Sequence, residues 1–271
     1  MENLLTQDVG FIGAGHLTRA MVFGLVQAGY PMNQIWLSNR SQGKLDFYQS
    51  QGIYTTTDNN ELVFNSNLIV LATRPKDMLS MLEGIEGTLT DEHLVISVAA
   101  GLGSDMLMNK MNANQSFVRA MPNTPSSVQM AMTGLWANEH SSDYHKLLAE
   151  ELFNAMGKIL WLKNEKQMHA LTAISGCGPA YFLEFMQNMV ETGIKMGLSE
   201  DDVKTLTLQT AKGAAQMAEV SNEALAELVN QIALPGGVTA EAIKVFRENG
   251  LKQLTEKAIF AAKNKSRGYS I

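Results

Sequence analysis

Asp8-Val9-Gly10-Phe11-Ile12-Gly13-Ala14-Gly15-His16-Leu17-Thr18 is the stretch from which the rest of the chain can be read. A short apolar run passes directly into a glycine turn, and helix-forming residues follow. Gly13 permits the tight turn. Gly15 lets the main chain approach a pyrophosphate, whose charge meets free N–H groups at the start of the next helix. The third small position, where helix packs on strand, is Thr18 in place of Gly or Ala. The pattern is not specific alone, so its context carries the dinucleotide reading.

That context is the end of the second strand, where an acidic residue about 20 positions on would bind the ribose of NAD. Here Gln34-Ile35-Trp36-Leu37-Ser38 ends in Asn39-Arg40-Ser41, without an acid. Uncharged Asn and Ser beside a cationic Arg suit a 2′-phosphate, so NADPH is the expected cofactor, with NADH also admitted. Arg40 read alone is equally a solvated surface residue after a strand. The missing acid favours the phosphate reading.

Composition bounds the remaining classes. At 271 residues the chain can hold two domains, each with a core. A formal charge of -6 and no basic run argue against a nucleic-acid partner. The N-terminal residues lack the basic start and apolar core of a signal peptide, and no apolar stretch has the length of a membrane span. A cytoplasmic protein without a membrane partner is expected. The single cysteine, Cys177, excludes an intramolecular disulfide, and the five histidines lack ligand spacing, so no metal is expected. The 17 methionines read as adaptable core and interface filler.

Outward from the opening stretch, apolar strand-like runs alternate with helical patterns. The strands are expected at 8–12, 34–38, 53–55, 68–72, 94–98 and 117–121. Two more, at 133–137 and 158–162, flank a helix over 142–156 and extend the sheet edge. This predicts an α/β fold with a doubly wound parallel sheet of Rossmann type over residues 1–163. Beyond Lys163 strand patterns stop. Residues 164–271 read as a second, all-helical domain, divided by Gly197-Leu198-Ser199-Glu200, by Ser221 as a cap, and by Pro235-Gly236-Gly237 before a helix opened by Thr239. Ala180–Met196 and Val203–Val220 carry apolar or small residues on more than one face. About 100 residues cannot cover such helices alone, so this domain is expected to pair with a second copy.

Ligands of an open parallel sheet bind beyond the carboxyl ends of its strands. That rule selects Gly13, Ala14, Gly15, His16 and Leu17; Asn39, Arg40 and Ser41; Asn59; Ala72, Thr73, Arg74 and Pro75; Ala99; and Asn123 as the candidate cofactor residues. Asn59 and Lys76 are equally well exposed loop or cap residues, and Pro75 and Pro122 equally well helix breakers. In the helical part, Ser175-Gly176-Cys177-Gly178-Pro179-Ala180-Tyr181 and Leu234-Pro235-Gly236-Gly237-Val238-Thr239 each place small residues and free N–H groups before a helix. That suits a carboxylate, though turns between helices use the same residues. Cys177 has no activating base nearby in sequence and reads as a packing residue.

These residues together carry a resemblance. Phe11-Ile12-Gly13-Ala14-Gly15, Thr73-Arg74-Pro75, Arg119-Ala120-Met121-Pro122-Asn123-Thr124-Pro125, the 175–181 segment and Pro235-Gly236-Gly237-Val238-Thr239 resemble, in that order, the motifs of the pyrroline-5-carboxylate reductases. The resemblance runs over essentially the whole chain. It implies NADPH-dependent reduction of the cyclic imine 1-pyrroline-5-carboxylate to L-proline, the last step of proline biosynthesis. It also implies an interleaved homodimer, assembled into a larger homo-oligomer, with the substrate site completed at the interface. It places the substrate carboxylate at the Pro235-Gly236-Gly237-Val238 loop and the helix start, on main-chain N–H groups of residues other than the proline, with Gly178 and Pro179 nearby, and Thr239 on the ring nitrogen. It assigns cofactor contacts to Asn59, Arg74 and the 13–17 turn.

The chain departs from the family at four of these places. Leu234 stands where a Ser is usual, and removes a hydroxyl that can bond the carboxylate. Cys177 replaces Ser, His16 replaces Asn and Arg74 replaces Lys. Two alternatives follow: a reductase of a related cyclic imine such as 1-pyrroline-2-carboxylate, or a non-catalytic NADP-binding paralogue. A β-hydroxyacid dehydrogenase, which would need a Lys four residues after Gly178, is disfavoured by Phe182, and by Met186 where its Asn would stand.

Overall fold

The computed structural model describes residues 1–268. Its elements run β1 (Val9–Ile12), α1 (His16–Gln27), β2 (Ile35–Ser38), α2 (Asp46–Gln49), β3 (Tyr54–Thr56), α3 (Asn59–Phe64), β4 (Leu68–Leu71), α4 (Pro75–Glu83), β5 (Leu94–Ser97), α5 (Ser104–Met108), β6 (Ser116–Met121), β7 (Ala131–Ala137), α6 (Asp143–Asn154) and β8 (Gly157–Trp161). After these come α7 (Met168–Leu171), α8 (Gly178–Lys195), α9 (Glu200–Val220), α10 (Leu225–Ile232), α11 (Val238–Glu248) and α12 (Leu251–Arg267). Residues 1–177, with 262–268, form one compact unit, and Gly178–Ala261 form another. The strand pattern ends near Lys163, whereas contacts divide the chain after Cys177 and return its last turns to the first unit.

The first unit is an eight-stranded sheet in the order β3-β2-β1-β4-β5-β6-β7-β8. Strand order reverses between β1 and β4, which is where such sheets open a crevice. Alternation of side chains explains the two layers. Leu68 and Val70 face one core with Phe11, Leu37 and Ile96, while Ile69 and Leu71 face the other with Ile12, Val95 and Phe117. Burial on both faces makes these strands continuously apolar. The doubly wound, parallel-dominated sheet is as expected, and β7 adds one antiparallel pairing at the extended edge. It runs antiparallel to β6, because the chain turns back through a 3-10 turn at Thr124–Val128 and left-handed Gln129, without a crossover helix. β8 then pairs parallel to β7 through α6.

Two glycines set the close packing around β1. A Cβ on Gly10 would lie 2.4 Å from Leu62 Cδ2, so its absence lets α3 settle on the strand. Gly13 has φ +112°, and its Cβ would lie 2.7 Å from the Ala72 carbonyl oxygen, so the turn has room only for glycine.

In the second unit, α8 and α9 form a helical hairpin. Left-handed Gly197 ends α8, and Ser199 caps α9 by accepting from the Asp202 N–H at 3.2 Å. Gly193 lies under Val203, whose Cγ1 would be 2.6 Å from a Cβ there. Ser221 closes α9 instead of opening the next helix. Its hydroxyl accepts from the Glu223 N–H, and the position before α10 is Ala224. Thr239 is the second residue of its helix, which Val238 opens. Neither α10 nor α11 buries a residue within the single chain. Phe182, Leu206, Val220, Leu225 and Leu254 stand exposed, so this unit lacks a core of its own on one side.

Candidate active site

A cleft of about 600 Å³ opens beyond the carboxyl ends of β1, β2, β3 and β4. Gly13, Ala14 and Gly15 form its floor after β1, Asn39 and Arg40 line it after β2, Asn59 after β3, and Ala72, Thr73 and Arg74 after β4. The other expected cofactor residues lie outside its lining. His16 and Leu17 begin α1, Ser41 precedes a 3-10 turn, Pro75 is the first residue of α4, and Ala99 sits in the core. Asn123 is buried, and its side chain is committed internally: Nδ2 donates to the Ser175 carbonyl and Oδ1 accepts from the Met132 N–H, both at 3.0 Å.

The floor is held by short-range bonds that follow from the sequence. The Gly13 N–H donates to the Ser38 carbonyl at 2.9 Å, continuing the ladder into the turn. Thr18, the unexpected third position, is buried, and its hydroxyl donates to the Gly13 carbonyl at 2.6 Å. Gly15 has nothing within 4 Å of a Cβ position, so the main chain there faces open space. α1 begins immediately after it, with its first N–H groups free of intrahelical acceptors. On the opposite wall the buried Ser38 hydroxyl donates to Asn59 Oδ1 at 2.7 Å, and Asp58 caps α3 by accepting from the Asn60 N–H at 2.9 Å.

The cleft's charge is concentrated on one side. Arg40 and Arg74 are 79% and 67% exposed, and both approach Asp77 Oδ2, at 3.5 Å and 2.9 Å. Lys44 lines the same cleft. Asp77 and Lys44 escaped the sequence reading. The i,i+3 spacing of Arg74 and Asp77 on a helix start, and the position of Lys44 four residues after Arg40, were the available signals. A glycine floor, a free helix N-terminus and an excess of cations beside β2 fit a phosphate-bearing dinucleotide.

Arg119 of the Arg-Ala-Met-Pro-Asn-Thr-Pro motif serves elsewhere. It is 3% exposed and pairs with Glu165 at 2.7 Å, while the Ser104 N–H and hydroxyl donate to the same carboxylate at 2.7 and 2.6 Å. Burial opposes ionisation of Glu165, but the Ser104 bonds and the guanidinium outweigh it and hold the carboxyl below its usual range. The ion pair ties β6 and the α5 start to the segment after β8.

The two glycine–proline segments differ. Thr172–Gly176 form one wide π-type turn continuous with α7, and the Cys177 N–H donates to the Thr172 carbonyl at 2.9 Å. Gly178 and Pro179 then begin α8, so the turn precedes the helix only at Cys177. At 235–237 the chain makes a true interruption. Gly236 is left-handed with φ +77°, and the Gly237 N–H is consumed by the Leu234 carbonyl at 2.9 Å. The donors left at this helix start are those of Val238 and Thr239, whose side chains are also exposed. Among the described residues no cluster of His, Cys, Asp or Glu could hold a metal, and no helix is long and apolar enough to cross a membrane.

The sheet, its glycine turn and its cationic cleft define a Rossmann-type, nicotinamide-dinucleotide-dependent oxidoreductase. Residues 8–101 match the family described as NADP oxidoreductase, coenzyme F420-dependent, and residues 165–269 match pyrroline-5-carboxylate reductase dimerisation. The pyrroline-5-carboxylate reductase of Pseudomonas aeruginosa is 38% identical over 96% of both chains. That of Coxiella burnetii is 38% identical, with a TM-score of 0.89 over 98% of this chain and 99% of its own. The Plasmodium falciparum pyrroline carboxylate reductase, solved with NADP bound, is 30% identical with a TM-score of 0.91 over 98% of both. The chain belongs to the pyrroline-5-carboxylate reductase family, and its helical part is that family's dimerisation domain.

Proposed function

We propose that this protein reduces 1-pyrroline-5-carboxylate to L-proline with NADPH, as the final step of proline biosynthesis in the cytoplasm, working as a homo-oligomer built from dimers. The observation that carries the reading is full-length kinship with curated reductases combined with an intact Pro235-Gly236-Gly237 interruption and an exposed α11 start. NADPH supplies the hydride when bound. The protein's own residues then have three tasks: holding the dinucleotide, orienting the imine and excluding water.

A protonated cyclic imine is already electrophilic, so positioning contributes the larger share of catalysis, about 7–11 kcal/mol in a well-aligned site. No strong general acid is needed, which explains a site made of Gly, Pro and Thr. The Val238 and Thr239 N–H groups are the donors for the substrate carboxylate, since the Gly237 N–H already closes its own turn. Gly236 supplies the left-handed bend that only glycine takes without strain. The Thr239 hydroxyl orients the ring nitrogen. Arg40 and Arg74 receive the 2′-phosphate, and Gly13–Gly15 the pyrophosphate.

Leu234 supports a second reading. It is 63% exposed and offers only its carbonyl to the turn, so the hydroxyl usual at this place is missing. A related imine with a different carboxylate position, or a non-catalytic role, would follow from that. The test is steady-state loss of reduced-nicotinamide absorbance with 1-pyrroline-5-carboxylate, beside NADH and beside 1-pyrroline-2-carboxylate. Turnover of the 5-carboxylate supports the main reading. Turnover of the 2-carboxylate alone, or NADPH binding without oxidation, overturns it.

A further inference from the structure

The cleft holds one acidic side chain that bonds the cations expected to receive a 2′-phosphate. Asp77 lies in the first turn of α4 and is 24% exposed, and its Oδ2 meets both the Arg74 Nε at 2.9 Å and the Arg40 Nη2 at 3.5 Å. The two arginines come from different loops, after β2 and after β4, so no element of regular structure holds them together. One carboxylate oxygen does so. The other carboxylate lining this cleft, Asp58, is already occupied by the Asn60 N–H as a helix cap.

From this arrangement we propose that Asp77 sets coenzyme selectivity, as the internal counter-ion that the 2′-phosphate of NADPH must displace from Arg40 and Arg74. The inference rests on the dinucleotide reading of the cleft and goes beyond it, because it assigns a cost to phosphate binding and names its source. With Asp77 ionised, the pair of guanidiniums carries one net positive charge instead of two. A phosphate of nearly two negative charges therefore meets a half-neutralised site, and shares it with a carboxylate that repels it. A ligand ending in a plain ribose meets neither effect. Asp77 thus narrows the preference for NADPH over NADH while holding two exposed arginines at the cleft.

The test is equilibrium binding to the full-length protein, read by calorimetry, with NADP+, NAD+ and adenosine 2′,5′-bisphosphate as probes. Asp77→Asn keeps the size and a side-chain acceptor for Arg74. It should tighten both 2′-phosphorylated probes by about three- to fivefold, in line with an exposed ion pair, and leave NAD+ unchanged. The gain should shrink with added salt, and it should be smaller when Asp77→Asn is made in an Arg40→Ala background than in the parent, because only the Arg74 contact is then left to release. Equal changes for NADP+ and NAD+, or weaker binding of the phosphorylated probes, would overturn the proposal. Unmodified protein that binds NADP+ and NAD+ equally, with Asp77→Asn also neutral, would do the same. Because the readout is binding, a protein inactive on 1-pyrroline-5-carboxylate would overturn the functional reading alone and leave this result standing.

Discussion

The Thr18 hydroxyl donates to the Gly13 carbonyl across the first turn of α1, at 2.6 Å. The residue that departs from the small-residue pattern is therefore the one that ties the helix to its glycine turn. The Thr18 hydroxyl is withdrawn from solvent, so its bond has no ready replacement. Thr18→Val keeps the shape and deletes the donor. It should cost about 1–3 kcal/mol in urea unfolding and weaken NADP+ binding in calorimetry. Unchanged binding and stability would show that the turn holds without it.

Gly13→Ala tests the turn from the other side. The backbone is left-handed at φ +112°, and the added methyl would lie 2.7 Å from the Ala72 carbonyl oxygen. Strain and overlap together should cost about 3 kcal/mol, with dinucleotide binding lost before global unfolding. Circular dichroism separates the two effects. An equivalent Gly15→Ala change meets no protein atom and should leave folding intact while obstructing the ligand.

Glu165 predicts an acid-sensitive fold. Its carboxyl in the folded protein titrates below the ordinary value of 4.5. The native state therefore binds fewer protons than the unfolded chain as pH falls through 4.5. The stabilisation is complete above that value and is lost as pH drops through the folded pKa. Glu165→Gln also leaves the guanidinium of Arg119 buried without its counter-charge, a loss of about 3–5 kcal/mol near neutrality. Unfolding midpoints of the variant and the parent should converge below pH 4.5. A constant gap would mean that packing, not charge, is responsible.

Leu234→Ser should restore a hydroxyl at the start of the Pro-Gly-Gly interruption. Because the leucine side chain is exposed, the change should alter stability by less than about 0.5 kcal/mol. A new hydrogen bond to the substrate carboxylate contributes about 1.5–3 kcal/mol, so KM for 1-pyrroline-5-carboxylate should fall at least about tenfold with kcat little changed. An unaltered KM would show that the main chain already satisfies the carboxylate.

Thr239→Val separates orientation from carboxylate binding at the same loop. The main-chain N–H groups remain, so KM should change little, while kcat should fall about tenfold or more through lost alignment of the ring nitrogen. A fall confined to KM would make Thr239 a binding residue only.

The sequence by itself determined the alternating strands, the glycine turn at Gly13 and Gly15, the missing acid after β2 and the helical character beyond Lys163. Each of these is local: period, turn chemistry and helix breakers act over a few residues and leave their mark in order along the chain. Family motifs added the reading of Pro235–Thr239 in the same way. Tertiary structure alone decided what distant residues do for one another. It turned β7 antiparallel, committed Asn123 to Ser175 and Met132, buried Arg119 against Glu165, and gathered Arg40 and Arg74 on Asp77. These outcomes depend on which loops the sheet order brings side by side, and a pairing across 37 or 46 positions leaves no periodic trace in the chain.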